Sequence, residues 1–158
     1  MECVPMTRAA DHRSSFGDFT CIHCGLPIST NTRLSGVINR NHCPYCLYSR
    51  HLDLHEGGDR LSPCQGPMRP VGLALKKTNK KYARPGQGEL MLIHHCQSCG
   101  RLSINRIAAD DDADRIYAVY QESLALDEAL RQLLAQDQII PLQADERAIV
   151  RRQLFGEI

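Results

Sequence analysis

"INRNHCPYCLYSRH", residues 38–51, packs two cysteines, two histidines, two arginines and two tyrosines into one short stretch. It can be a metal site, a catalytic site or a surface for nucleic acid, and the rest of the chain decides which. Cys43 and Cys46 form a Cys-x-x-Cys pair, and two more such pairs occur, Cys21/Cys24 and Cys96/Cys99. A tight turn between two thiolates aims both at one ion, which is the local geometry of a zinc knuckle. Disulfide frameworks are rarely spaced in this way.

Composition points in the same direction. The 158 residues include no Trp and only three Phe, so one domain's length of chain has few bulky groups from which to build a core. Chains in that position are usually stapled by disulfides or by metal. "MECVPMTRAADHRSSF", residues 1–16, has no apolar run of the kind a secretory leader carries. No segment reaches the roughly 20 apolar residues of a membrane helix. The expectation is a cytoplasmic protein, with no membrane partner, whose cysteines serve zinc. Residues 1–18 read as a flexible tail, with Cys3 a spare thiol.

The net charge of +1 hides a polarised chain. Residues 19–107 hold 12 Lys+Arg against 4 Asp+Glu, whereas residues 108–158 hold 5 against 11. A basic module spanning 19–109 is therefore expected ahead of an acidic extension spanning 110–158.

Within the module, "FTCIHCG" (19–25) and "HCPYCL" (42–47) are knuckles, and "LPISTNTRLSGVINRN" (26–41) and "HLDLHEGGDRLSPC" (51–64) are loops rich in turn formers. Strands are expected from Met68 to Lys76, over "ELMLIHHC" (89–96) and over "LSINRIA" (102–108), with the third knuckle between the last two. The outline is a small α+β, zinc-ribbon-like fold of knuckles and a short antiparallel sheet. Beyond it, "ADDDADRIYAVYQESLALDEALRQLLAQDQ" (109–138) has acids in its first turn and an apolar i, i+4 stripe, and predicts one bent helix or two helices split near Leu124–Asp127. "QADERAIVRRQLF" (143–155) predicts a terminal helix after Pro141.

A closed structural zinc takes four ligands. Adjacent pairing gives Cys21, Cys24, Cys43 and Cys46 as a first site, spaced C-x2-C-x18-C-x2-C. Cys64, Cys96 and Cys99 then need a histidine, with His51 preferred and His94 the alternative; this makes two Zn2+ ions in all. A crossed arrangement, with the first and third knuckles sharing an ion, also satisfies the spacing. So does a single-zinc chain in which Cys64 is only a buried apolar residue. His23 is expected to be exposed, and His42 to be exposed or to lie behind the ligands.

A thiolate held in a four-ligand site is not a free nucleophile, the H-E-x-x-H helix motif is absent, and the βαβ context of a thioredoxin-like Cys-x-x-Cys is missing. Catalysis, including a zinc-supported nuclease built on Asn41, His42 and His51, ranks below binding, and no small-molecule substrate is expected. The nucleic-acid candidates are Arg33, Arg40, Arg50, Arg101 and Arg106, with a flexible basic arm of Lys76, Lys77, Lys80, Lys81, Tyr82 and Arg84. Cations with an interleaved aromatic suit phosphate contact and stacking. No helix of the module looks ready to enter a DNA major groove, so RNA is preferred. The expected role is an RNA-linked accessory of the ribosome or translation machinery. The alternative is a protein adaptor acting through the acidic helices.

Arg40-Asn41-His42-Cys43-Pro44 spells RNHCP. With "FTCIHCG", "RNHCPYCLYSRHLD", "GDRLSPCQGPMRPVGL", "HHCQSCG" and "NRIAADD", the chain from Phe19 to Asp111 resembles the bacterial RNHCP domain family. That resemblance implies a small cytoplasmic zinc-ribbon-like protein and leaves the helices from Asp112 onward outside the shared string.

Overall fold

The structure is a computed structural model that describes residues 18–76 and 88–157. A two-stranded ribbon, β1 (Phe19–Thr20) with β2 (Pro27–Ile28), carries the first knuckle. A short helix, α1 (Thr32–Ser35), follows. Residues 26–41 are therefore not a plain loop: Asn31 caps α1 by accepting from the Arg33 amide at 2.9 Å, as a short polar side chain does at a helix start.

The main sheet is antiparallel, in the order β3 (Ser49–Arg50), β4 (Pro67–Leu75), β5 (Leu90–Cys96), β6 (Leu102–Arg106). The strands expected at 68–76, 89–96 and 102–108 fall on β4, β5 and β6, with ends shifted by one or two residues. Pro70 lies in a central strand although it cannot donate to a ladder. The register shifts between Pro70 and Gly72, and such a bulge is where a central strand tolerates proline.

Three helices complete the fold: α2 (Ala113–Ser123), α3 (Glu128–Gln136) and α4 (Arg147–Phe155), with a single 3-10 turn at Ala144–Glu146 before α4. The long acidic pattern divides into two helices because each half has its own cap. Asp112 accepts from the amides of Asp114 at 2.9 Å and Arg115 at 3.3 Å. Asp127 accepts from the Leu130 amide at 2.8 Å.

The helices pack on both faces of the sheet. On one face Leu73, Leu90 and Leu92 meet Ile116, Val119, Tyr120 and Val150. On the other, Val71, Ala74 and Ile93 meet Leu130 and Leu134. The chain thus covers β5 on two sides, which explains why "LMLI" is apolar without alternation. Among the described residues no helix is long and apolar enough to cross a membrane.

Candidate metal centres and basic surface

All three knuckles are built on one local turn. Gly25 donates to Cys21 O at 3.0 Å, Leu47 to Cys43 O at 2.9 Å, and Gly100 to Cys96 O at 3.0 Å. Amides inside the turns point at the leading sulfur: His23 and Cys24 at Cys21 Sγ, both at 3.4 Å, and Tyr45 at Cys43 Sγ at 3.3 Å. The residue closing each turn is left-handed, with φ of 79° at Gly25, 68° at Leu47 and 81° at Gly100. Glycine adopts this freely, whereas for leucine it costs roughly 1–2 kcal/mol. Leu47 accepts that strain because its fully buried side chain belongs to the core on β4 and β5, so the middle knuckle is fastened to the sheet by its own turn residue.

The turns converge on two tetrads. Cys21, Cys24, Cys43 and Cys46 form one, and His51, Cys64, Cys96 and Cys99 the other, each with its ligand atoms within 4.8 Å of one another. Cys21 Sγ lies 3.5 Å from Cys46 Sγ, and Cys24 Sγ 3.7 Å from Cys43 Sγ. Cys64 Sγ lies 3.6 Å from Cys96 Sγ, and Cys99 Sγ 3.3 Å from His51 Nδ1. Disulfides need about 2.05 Å. Four donors each at about 2.0–2.3 Å from one tetrahedral zinc stand well apart from one another, as these do. Four thiolates in the first tetrad, and three thiolates with one imidazole in the second, are donor sets of structural zinc, and each tetrad can hold one Zn2+. The pairing is adjacent rather than crossed, and Cys64 stands in the second tetrad.

Sheet register assembles that second tetrad. Ser49 pairs with Met68 and Met68 with Cys96, which sets the ends of β3 and β5 level with each other on the two sides of β4. The His51 amide donates to Gly66 O at 2.9 Å and the Gln65 amide to His51 O at 3.1 Å, drawing the Cys64 loop against both. His94, the alternative ligand, does not join. It is fully buried; its Nε2 donates to Leu47 O at 2.7 Å, and its Nδ1 accepts from Asn105 Nδ2 at 2.8 Å. Burial, with the nearby charge of His42, pushes its pKa down to about 4.

Without metal, burial pushes the thiols up. At Cys21 and Cys96 the turn amides and neighbouring thiols outweigh burial and bring the pKa below its ordinary value. Cys43, Cys46 and Cys99 are raised. Four thiols this close cannot all ionise unaided, and a divalent cation supplies the missing charge.

Arg40 corrects the sequence reading, and His42 takes the second of its two expected places, behind the ligands rather than on the surface. Arg40, expected on nucleic acid, is 3% exposed. Its Nη1 donates to both carboxylate oxygens of Asp110 at 2.8 and 2.9 Å, its Nη2 to Asp111 at 3.0 Å, and its Nε to His42 O at 2.9 Å. His42 is likewise buried, with Nε2 at 2.6 Å from Asp111 Oδ2. A buried guanidinium is tolerated when it is paired in this way. Asp110 and Asp111 carry no sequence signal as the partners of Arg40, because 70 and 71 residues separate them from it.

The other cations lie on the surface. Arg33, Arg50, Lys76, Arg101 and Arg106 are exposed. Arg106 pairs with Glu89 at 3.1 Å, and Arg50 Nε donates to Gln65 O at 3.1 Å. His23 is exposed as expected, and its ring stacks on Tyr48 with centroids 3.6 Å apart. Lys77, Lys80, Lys81, Tyr82, Arg84 and Cys3 lie outside the described residues.

Neither a curated protein nor a solved structure matches the chain. The family model described as RNHCP domain matches residues 16–117. The match spans both tetrads, the buried arginine–histidine–aspartate cluster and the start of α2, and the chain belongs to the RNHCP domain family.

Proposed function

We propose that the chain is an RNA-linked binding protein, an accessory of the ribosome or the translation machinery, in which two zinc centres hold a basic surface in shape. One observation carries the reading. Arg33, Arg50 and Arg101 are exposed with no carboxylate partner among the described residues, on a module where cations outnumber acids three to one. Unpaired surface cations are what phosphate backbones attract. The ribosomal setting follows by analogy from charge and a small zinc-ribbon-like fold.

No catalytic step is part of this reading. A closed four-ligand tetrad keeps no open position for a substrate. His42 and His51, on which a nuclease would depend, are committed to Asp111 and to the second tetrad. The adaptor reading needs a free apolar stripe on the acidic helices, and Leu130 and Leu134 are packed on the sheet.

The test is retention of RNA by the full-length, zinc-loaded protein across a salt series, with identification of the RNA that co-purifies from the host. Affinity is expected to fall linearly on a log–log plot of binding against salt. Reversing Lys76, Lys77, Lys80 and Lys81 to Glu should weaken it further. A salt-independent response ends the proposal.

A further inference from the structure

A cleft of about 230 Å³ opens between β3 with the loop that follows it and the edge strand β6; Arg50, His51, Met68, Ser103 and Asn105 are among its walls. It is smaller than the roughly 300–1,000 Å³ of sites that enclose a drug-sized molecule, and is sized for one flat ring system. Met68 gives it a soft apolar wall.

Two wall residues of the cleft, Asn105 and His51, each carry a polar atom without a partner among the described residues. Asn105 Nδ2 donates to His94 Nδ1 at 2.8 Å and to Ser103 Oγ at 3.1 Å. Because His94 Nε2 is the donor to Leu47 O, His94 Nδ1 must accept, which fixes the Asn105 amide and leaves its Oδ1 free. His51 is only 7% exposed, and its Nδ1 faces Cys99 Sγ at 3.3 Å. A metal on Nδ1 leaves the proton on Nε2, and a ligating histidine normally donates that proton to a partner. No such partner is present among the described residues, and His51 is a wall residue of the cleft. At the rim, Arg50 is anchored through Nε and keeps both Nη groups, and exposed Arg101 directly precedes Leu102 of the wall.

We infer that the cleft takes one unstacked nucleobase of a single-stranded RNA, with Asn105 Oδ1 and His51 Nε2 meeting the donor and acceptor of its edge and Arg50 meeting the adjoining phosphate. Base edges present donors and acceptors side by side, and single-stranded RNA can splay a base out to be read this way. The inference rests on the RNA reading above and adds where, and in what form, the strand is held.

The experiment uses the full-length zinc-loaded protein and a short single-stranded RNA carrying one 2-aminopurine. Binding should raise the fluorescence as the base leaves its stack. Asn105→Ala should weaken binding about tenfold, as loss of an edge contact does, and remove the fluorescence change. Zinc content and the thermal transition report whether that variant is folded. Arg50→Glu, at an exposed position, should weaken binding and make the salt slope shallower by about one phosphate contact. If the wild type binds the RNA with a steep salt slope but fluorescence stays flat and both variants bind normally, the cleft assignment is overturned and the RNA reading stands. If the wild type binds no RNA, both fall.

Discussion

His42 Nε2 and Asp111 Oδ2 stand 2.6 Å apart, although 69 residues separate them in the chain. A carboxylate only accepts, so the histidine donates. The same carboxylate takes the Arg40 guanidinium at 3.0 Å and the Ala108 amide at 2.8 Å. The residues that name the RNHCP string thus fasten the middle knuckle to the segment leading into α2.

Asp111→Ala is expected to be among the most damaging single changes. It leaves a buried guanidinium short of a partner and a buried histidine without an acceptor, and losing one side of a buried pair costs about 3–5 kcal/mol. Urea unfolding of the zinc-loaded protein measures it. Arg40→Lys should not be neutral, because a point ammonium cannot reproduce the fork that reaches two carboxylates. A loss under about 1 kcal/mol for Asp111→Ala contradicts the pairing.

Elemental analysis should find two zinc ions per chain. Cys64→Ser and His51→Ala should each lower the content to one, whereas His94→Gln should keep both. Retention of two ions by His51→Ala, or their loss in His94→Gln, would show that the histidine ligand had been wrongly chosen.

His94 also makes stability depend on pH. Its folded pKa, about 4, lies below the ordinary 6.5, so the unfolded chain binds the proton more readily. Its contribution is fully present above about pH 6.5 and is lost as the pH falls toward 4, at about 1 kcal/mol per pH unit. Acid also strips thiolate ligands, so the diagnostic quantity is the difference between wild type and His94→Gln. The wild-type unfolding midpoint should fall faster between pH 7 and 5; parallel slopes would remove His94 from the account.

Leu134, 1% exposed against Val71 and Ile93, tests whether the helices are integral to the fold. Leu134→Ala should cost about 2–5 kcal/mol, read by thermal or urea unfolding, with zinc content unchanged. A change of only a few tenths would mean that α3 rests loosely on the sheet.

The sequence by itself determined the three Cys-x-x-Cys knuckles, the three strands that carry and follow them, and the helical character of the acidic pattern, while one bent helix or two, and Cys64 as ligand or buried apolar residue, stayed open. The features it determined are local. A Cys-x-x-Cys turn closes over a few residues, and helix and strand show as periods along the chain. It narrowed the fourth ligand of the second tetrad to His51 or His94 and left adjacent and crossed pairing open. The tertiary structure decided those points, because β3–β4–β5 register sets His51 beside Cys96 while Leu47 O and Asn105 claim the ring of His94. It also moved Arg40 from the surface to the interior. An arginine looks the same in sequence whether it meets solvent or a buried acid, and its acid here lies 71 residues away. Only folding brings that charge to it.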